Sequence, residues 1–237
     1  MPDVLLAQDD GRLEVQRGRG SFTPDGAAWL LVDRDDVFGT TGQSALVATG
    51  DTFALGDDVA WTAVVRRGAT VDTRVIAAAE VAVEARGDGP TARTVRTYVS
   101  AGPLICGETV NPPGGWSSWP PHRHEHEEIY LYRFDEPDGF GVQLVYEGDP
   151  GEPVIVRDGH VERIRGSYHP VVASPKSSML YLWALAGESN TLTPASPPGD
   201  LQLHGLSQVR RHGRQQVGDP AHDEVLDLAR GKCGVDD

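Results

Sequence analysis

Pro120-Pro121-His122-Arg123-His124-Glu125-His126-Glu127-Glu128-Ile129-Tyr130 is the stretch that decides the fold. Read as a β-strand, it puts His122, His124 and Glu128 at positions of equal parity, and alternate side chains of a strand share a face. Two imidazoles and a carboxylate on one face are three ligands for a first-row transition metal. His169, in Arg165-Gly166-Ser167-Tyr168-His169-Pro170, offers a fourth. The expected cofactor is therefore one divalent ion on His122, His124, Glu128 and His169. Zn, Mn, Fe and Ni all suit such a shell. His126 has the same parity and competes with Glu128, although a loop position at a bulge is the preferred reading. Glu127 has the opposite parity and should face away from the metal.

Working outward, short strands and turns follow one another through most of the 237 residues. In the first half, Ala28–Val32, Ser44–Ala48, Trp61–Arg66, Arg74–Ala77 and Val81–Ala85 read as strands. The Ala-rich stretch 71–85 also has helical spacing at Val71, Val75, Ala78 and Ala82, but its β-branched residues favour strand. Thr94–Val99 and Leu104–Val110 precede the metal segment. Glu128–Phe134, Gly141–Tyr146, Val154–Val156, Val161–Ile164, Val171–Ala173 and Met179–Leu185 complete the second half. So many short strands at regular spacing predict a barrel or sandwich. A His-x-His-x3-Glu cluster with a later Gly-x-x-His is the ligand pattern of a cupin barrel. The expected fold is an all-β double cupin. Residues 1–95 would form a barrel without metal and 96–190 a metal-binding barrel. Residues 191–237 would add a connector and a short C-terminal helix opened by Asp219-Pro220.

Composition narrows the function classes. The formal charge is −14, from 21 basic and 35 acidic residues. No basic patch of useful size occurs, so neither nucleic acid nor an anionic membrane surface is an expected partner. Hydrophobic residues reach 39%, enough for a core. The N-terminus shows no basic and apolar leader, and no apolar run approaches the roughly 20 residues of a membrane span. Only Cys106 and Cys233 occur, which fits a reducing cytoplasm, with Cys106 as a packed thiol. Self-association into a homo-oligomer is allowed.

The run Gly107-Glu108-Thr109-Val110-Asn111-Pro112-Pro113-Gly114-Gly115-Trp116-Ser117-Ser118-Trp119-Pro120-Pro121-His122-Arg123-His124 says more than a metal pattern does. It resembles the 5-deoxy-glucuronate isomerase family of myo-inositol catabolism, which carries Pro-Gly-Asn-Trp-Ser-Ser-Tyr-Pro-Pro-His-Lys-His at its metal site. The likeness continues through Glu127–Arg133, Gly139–Tyr146, Arg165–Val171 and Leu180–Gly187. Before residue 93 it survives only as layout, with Val64-Val65-Arg66-Arg67 its clearest echo. The family is akin to the zinc-containing 4-deoxy-uronate ketol-isomerases. The resemblance implies a double cupin with metal in the second barrel, held by His122, His124, Glu128 and His169. It also implies aldose–ketose isomerisation of a deoxy-uronic acid, namely 5-deoxy-glucuronate to 5-dehydro-2-deoxy-gluconate or a close relative. Three departures stand out: a shortened loop between the His pair and Glu127, the segment Ser174–Met179, and Trp183 where relatives have Asn. They point to a changed barrel mouth.

Such an isomerase moves a proton between adjacent carbons, and a metal can hold the two neighbouring oxygens while it does so. Glu108, in a segment expected to pair beside the metal strand, is the first candidate for the proton shuttle. Tyr130 and Tyr132 share the ligands' parity. Arg133, Arg165 and Lys176 are candidates to bind the acid group, and Gln143 and Tyr181 to bind hydroxyls. Each has a plain alternative as a rim carboxylate, a packed aromatic or a surface charge. Two rival functions use the same shell: a metal-dependent dioxygenase or lyase, and a non-catalytic sugar-binding cupin.

Overall fold

The computed structural model of the chain describes residues 2–7, 11–32, 43–148 and 152–193. Among them are sixteen strands, two 3-10 turns and no α-helix. The strands are β1 (Asp3–Leu6), β2 (Glu14–Arg19), β3 (Ala27–Val32), β4 (Gln43–Val47), β5 (Ala60–Arg66), β6 (Arg74–Ile76), β7 (Ala82–Arg86) and β8 (Arg93–Val99). They continue with β9 (Ile105–Asn111), β10 (Trp116–Ser117), β11 (Glu127–Phe134), β12 (Phe140–Gln143), β13 (Val154–Arg157), β14 (Val161–Arg165), β15 (Val171–Ala173) and β16 (Met179–Ala186). The 3-10 turns are Ala78–Glu80 and Gly89–Thr91. The stretch 71–85 is thus strand, turn and strand, as its β-branched residues require. The expected C-terminal helix lies outside the described residues, as does Cys233.

Three antiparallel sheets form. Their orders are β1-β2-β5-β3-β4-β6, β10-β15-β12-β13 and β14-β11-β16-β9-β8-β7. The fold is the all-β double cupin. The third sheet already begins with β7, so residues 95 and 96, where the two halves were expected to meet, fall inside β8.

Strand alternation sorts the side chains into layers. On β11, Ile129 and Leu131 join Leu180, Leu182 and Ala184 of β16 and face Leu13, Val15, Trp29 and Val64 of the first sheet. The alternate residues Tyr130, Tyr132 and Phe134 join Tyr181 and face Val156, Val171 and Ala173 of the second sheet. The outer side of the first sheet packs Leu30, Val32, Ala45 and Trp61 on Phe22 and Phe53.

Trp29 is fully buried and tilts against Tyr98 across the first core, with ring centroids 5.2 Å apart. Trp29→Ala is therefore expected to cost about 3–5 kcal/mol, read as a lower midpoint in urea unfolding. A loss under 1 kcal/mol would mean that this core is loosely packed.

Cys106 is free and buried in the same core, and burial pushes its thiol pKa up, as expected for a packed residue. No helix among the described residues is long and apolar enough to cross a membrane.

Candidate metal centre

The third sheet positions Glu128, one residue inside the start of β11 and opposite Leu185 of β16. His122 and His124 do not lie on that strand. They sit in the connection that leaves β10 in the second sheet and crosses to β11 in the third. Parity alone would start the strand too early: β11 begins at Glu127, and loop geometry gathers the histidines. His169 arrives from the other side, between the Tyr146–Tyr168 bridge and β15.

His124, Glu128 and His169 are buried and present ligand atoms within 4.8 Å of one another. The Nε2 atoms of His124 and His169 lie 3.1 and 3.2 Å from Glu128 Oε2. Ligands bound about 2.1 Å from one ion stand about 3.0–3.4 Å apart at angles between 90° and tetrahedral, so the spacing fits a first-row ion. His122 is outside this tight group, but its ring stands 4.9 Å from that of His169 and 6.3 Å from that of His124.

Each of the three histidines is held by Nδ1 against a backbone carbonyl. His122 uses Pro120 O at 3.2 Å, His124 uses His126 O at 3.0 Å, and His169 uses Ser167 O at 2.8 Å. A carbonyl can only accept, so each Nδ1 carries a proton and each Nε2 is the atom turned to the metal position; at His124 the proton shared between Nε2 and Glu128 Oε2 would give way to an ion. That is the tautomer and the outer hydrogen bond a metal-ligating histidine needs. The clearest mark is His169 Nε2, which is buried and lacks a hydrogen-bond partner. A native interior rarely leaves such an atom unsatisfied. The residues fit a divalent ion.

Electrostatics agree. Burial is the main cause holding the His169 pKa down at about 4, so the ring is neutral. Burial also lowers His122, with a smaller opposing effect of its Pro120 hydrogen bond. Burial alone would lower His124 and raise Glu128. Their mutual hydrogen bond and the neighbouring charges together outweigh it, so His124 lies above and Glu128 below the ordinary value.

His126 is not a ligand in this arrangement. It is buried, its Nε2 donates to Ser189 O at 3.0 Å, and its ring fills the space beside Gly187. It lies in the bend just before β11, and it is buried there. Glu127 faces away from the centre, as its parity predicts. Its carboxylate accepts hydrogen bonds from the backbone N–H groups of Arg12 and Leu13 at 2.9 and 3.0 Å, tying the N-terminal segment to β11.

The other site candidates divide by face. Tyr130, Tyr132, Gln143 and Tyr181 lie on the metal side. Tyr130 Oη and Ser118 Oγ are 2.8 Å apart, and Tyr181 Oη donates to Ser117 Oγ at 3.0 Å. Asn111 Nδ2 donates to the same Ser117 Oγ at 2.9 Å. The Tyr130 ring lies 4.3 Å from that of Tyr181 and 5.9 Å from that of His169. Ser117, Ser118 and Asn111 carry no chemical signal of their own in the sequence, although the Trp116–Trp119 run that holds the serines does stand out. Ser118 takes φ +51°, a conformation unusual outside glycine, and this aims its hydroxyl at Tyr130.

Gln143 is used internally. Its Oε1 accepts from Tyr132, and its Nε2 donates to His169 O at 2.8 Å. It fixes the backbone of a ligand instead of greeting a sugar. Gln143→Ala should weaken metal affinity about tenfold or more, measured by competition with a fluorescent chelator. Unchanged affinity would show that His169 needs no such tether.

Glu108, Arg133, Arg165 and Lys176 are corrected by the sheet register. Glu108 stands opposite Leu182, whose side chain enters the first core, so Glu108 points away from the metal. It is fully buried and pairs with Arg96 at 2.8 Å. Arg133 follows Ile129 and Leu131 onto that same face and pairs with Asp158 at 2.9 Å. Arg165 stands opposite Glu127, again on the far face. Lys176 is exposed in the turn before Met179. That turn is six residues along β16 from Leu185, or about 20 Å at strand rise, so the altered segment 174–179 does not border the ligands. Trp183 does face inward, opposite Tyr130, with its indole over Gly107 where a Cβ would meet it at 2.2 Å.

Stacked antiparallel sheets with a His/Glu cluster between them define a cupin able to hold a metal ion. The chain belongs to the KduI/IolB family, which matches residues 6–198. A 5-deoxy-glucuronate isomerase from Geobacillus kaustophilus is 36% identical over 137 residues, 52% of this chain and 50% of that protein. One from Bacillus velezensis is 33% identical over 171 residues, 65% of this chain and 55% of that protein. The chain thus spans about half the length of the curated relatives it matches. The crystal structure of an IolB-like protein from Salmonella typhimurium LT2 gives a TM-score of 0.65 at 23% identity, covering 81% of this chain and 88% of that one. An oxalate decarboxylase from Lactobacillus farciminis gives 0.53 at 10% identity, covering 84% and 83%. At these identities the two structures speak for the fold alone.

Proposed function

We propose that the chain carries a metal-dependent aldose–ketose isomerase activity on a deoxy-uronic acid, 5-deoxy-glucuronate or a close relative, in the cytoplasm and in myo-inositol catabolism. The observation that carries this reading is the convergence of histidine Nε2 atoms on Glu128 beside a string of buried hydroxyls, in a member of a family whose relatives are named 5-deoxy-glucuronate isomerases. His124, Glu128 and His169 would hold one divalent ion, with His122 completing the set. When bound, the ion supplies a Lewis acid for the two adjacent sugar oxygens between which isomerisation runs.

The chain's own residues do the remaining work. Burial raises the Tyr130 pKa well above the ordinary phenol value, and the Glu128 charge adds to it. The phenol therefore stays protonated and can give a proton from Oη to a substrate oxygen, refilled through Ser118 Oγ. Tyr181 and Ser117 hold this string in place. The buried setting keeps bulk water from the reacting carbons.

The test is a panel of deoxy-uronates offered to protein of measured metal content, with dissolved oxygen followed in parallel. Interconversion of aldehyde and ketone without oxygen uptake is expected. Oxygen consumption coupled to substrate loss would favour a dioxygenase. Bound metal with no turnover would favour a sugar-binding cupin.

A further inference from the structure

With Arg133, Arg165 and Lys176 directed elsewhere, an acidic substrate still needs a cation. Arg93 opens β8, and its side chain shares a face with Val95, which stands opposite Thr109. Thr109 in turn stands opposite Tyr181, on the metal side of the sheet. Arg93 thus belongs to the inner face, whereas Arg96 with its partner Glu108 belongs to the outer one.

A second contact sets its direction. Arg93 Nη1 donates to Thr91 O at 2.9 Å, at the end of the 3-10 turn 89–91. That turn packs on β10, the strand carrying Trp116 and Ser117. The guanidinium is therefore anchored beside the strand that leads into the histidine loop. Arg86, opposite Arg93 on β7, is engaged by Glu84 at 2.8 Å. Among the described residues no carboxylate pairs with Arg93, which leaves Nη2 and Nε as donors for a ligand. Arg123, the other cation near the histidines, lies over the Tyr168 ring, 5.4 Å from its centroid.

We infer that Arg93 binds the carboxylate of an open-chain sugar acid whose other end lies at the His124–Glu128–His169 centre. The inference rests on the reading of the substrate as a uronic acid. An extended six-carbon acid spans about 6 Å from C1 to C6 with bonds near 1.5 Å, so its carboxylate and its reacting carbons need separate anchors. The planar fork of a guanidinium also matches a carboxylate in a way that a lysine does not.

The experiment compares wild type with Arg93→Gln, Arg93→Lys and Arg123→Gln. Binding of D-glucuronate and of uncharged D-glucose is measured by calorimetry, before and after chelator treatment, alongside KM and kcat for the deoxy-uronate. Arg93→Gln should weaken glucuronate binding about 10- to 100-fold and raise KM alike, with kcat less affected. Glucose binding and metal content should not move, and Arg93→Lys should recover only part of the loss. If Arg123→Gln carries the loss instead, or if wild type does not discriminate glucuronate from glucose, the assignment is overturned. If Arg93-dependent glucuronate binding is present but no uronate is turned over, the isomerase reading fails and the Arg93 assignment stands. Turnover with KM unchanged in Arg93→Gln keeps the isomerase reading and overturns the Arg93 assignment.

Discussion

His169→Ala empties the metal centre while leaving the barrel folded. His169 Nε2 is a buried acceptor without a hydrogen-bond partner, 3.2 Å from Glu128 Oε2. Such an atom costs about 1–3 kcal/mol when unsatisfied, and a bound ion removes that cost. Loss of an outer hydrogen bond to a ligating histidine weakens metal affinity about 10- to 100-fold. Loss of a ligand itself should exceed that, leaving metal well below one ion per chain after dialysis, with turnover lost in step. His124→Ala should do the same. The control is His126→Ala, which should keep its metal and lose stability, because that ring fills the space beside Gly187 and bonds Ser189 O. Metal analysis by mass spectrometry decides: full occupancy in His169→Ala would remove His169 from the ligand set, and metal loss in His126→Ala would restore His126 to it.

The centre is legible in the sequence and its surroundings are not, because the two depend on different things. Histidines two apart, a glutamate and a distant Gly-x-x-His are a local pattern, and it identifies the residues that meet. The strands around them are legible because runs such as Ala28–Val32 and Ile129–Tyr132 are apolar enough to be read without partners. β2 is not: Glu-Val-Gln-Arg-Gly-Arg carries no apolar alternation, and it is a strand through its pairing with β1 and β5, with Gly18 making room for the Trp61 ring, where a Cβ would meet it at 2.3 Å. Roles hidden in register are lost in the same way. Whether Glu108 or Thr109 faces the metal depends on which residue of β16 stands opposite, and a one-residue shift exchanges the two faces. Its chemistry recommends Glu108, and the register turns it outward. Arg93 gives no signal, because nothing near it in sequence connects it with His122.

That exchange of faces yields the second large effect. Tyr130→Phe removes only the hydroxyl that meets Ser118 Oγ at 2.8 Å, and the ring keeps its place against Tyr181. Metal content should stay at the wild-type value while kcat falls about 10²- to 10⁴-fold, the range for loss of a positioned proton donor. Glu108→Gln should show the reverse. It leaves the Arg96 guanidinium without its buried charge partner, and breaking a buried pair costs about 3–5 kcal/mol, so the urea midpoint drops. The turnover of whatever protein stays folded should remain near wild type, because the side chain lies on the far face of β9. Measured together, kcat per bound metal and unfolding midpoint separate the two residues. A Glu108→Gln protein that is stable but slow would return that carboxylate to the chemistry, which no side chain facing the first core can reach without a shift in the register of β9. A fully active Tyr130→Phe protein would move the proton donor to another group on the inner face, with Tyr181 and its Ser117 partner next in line.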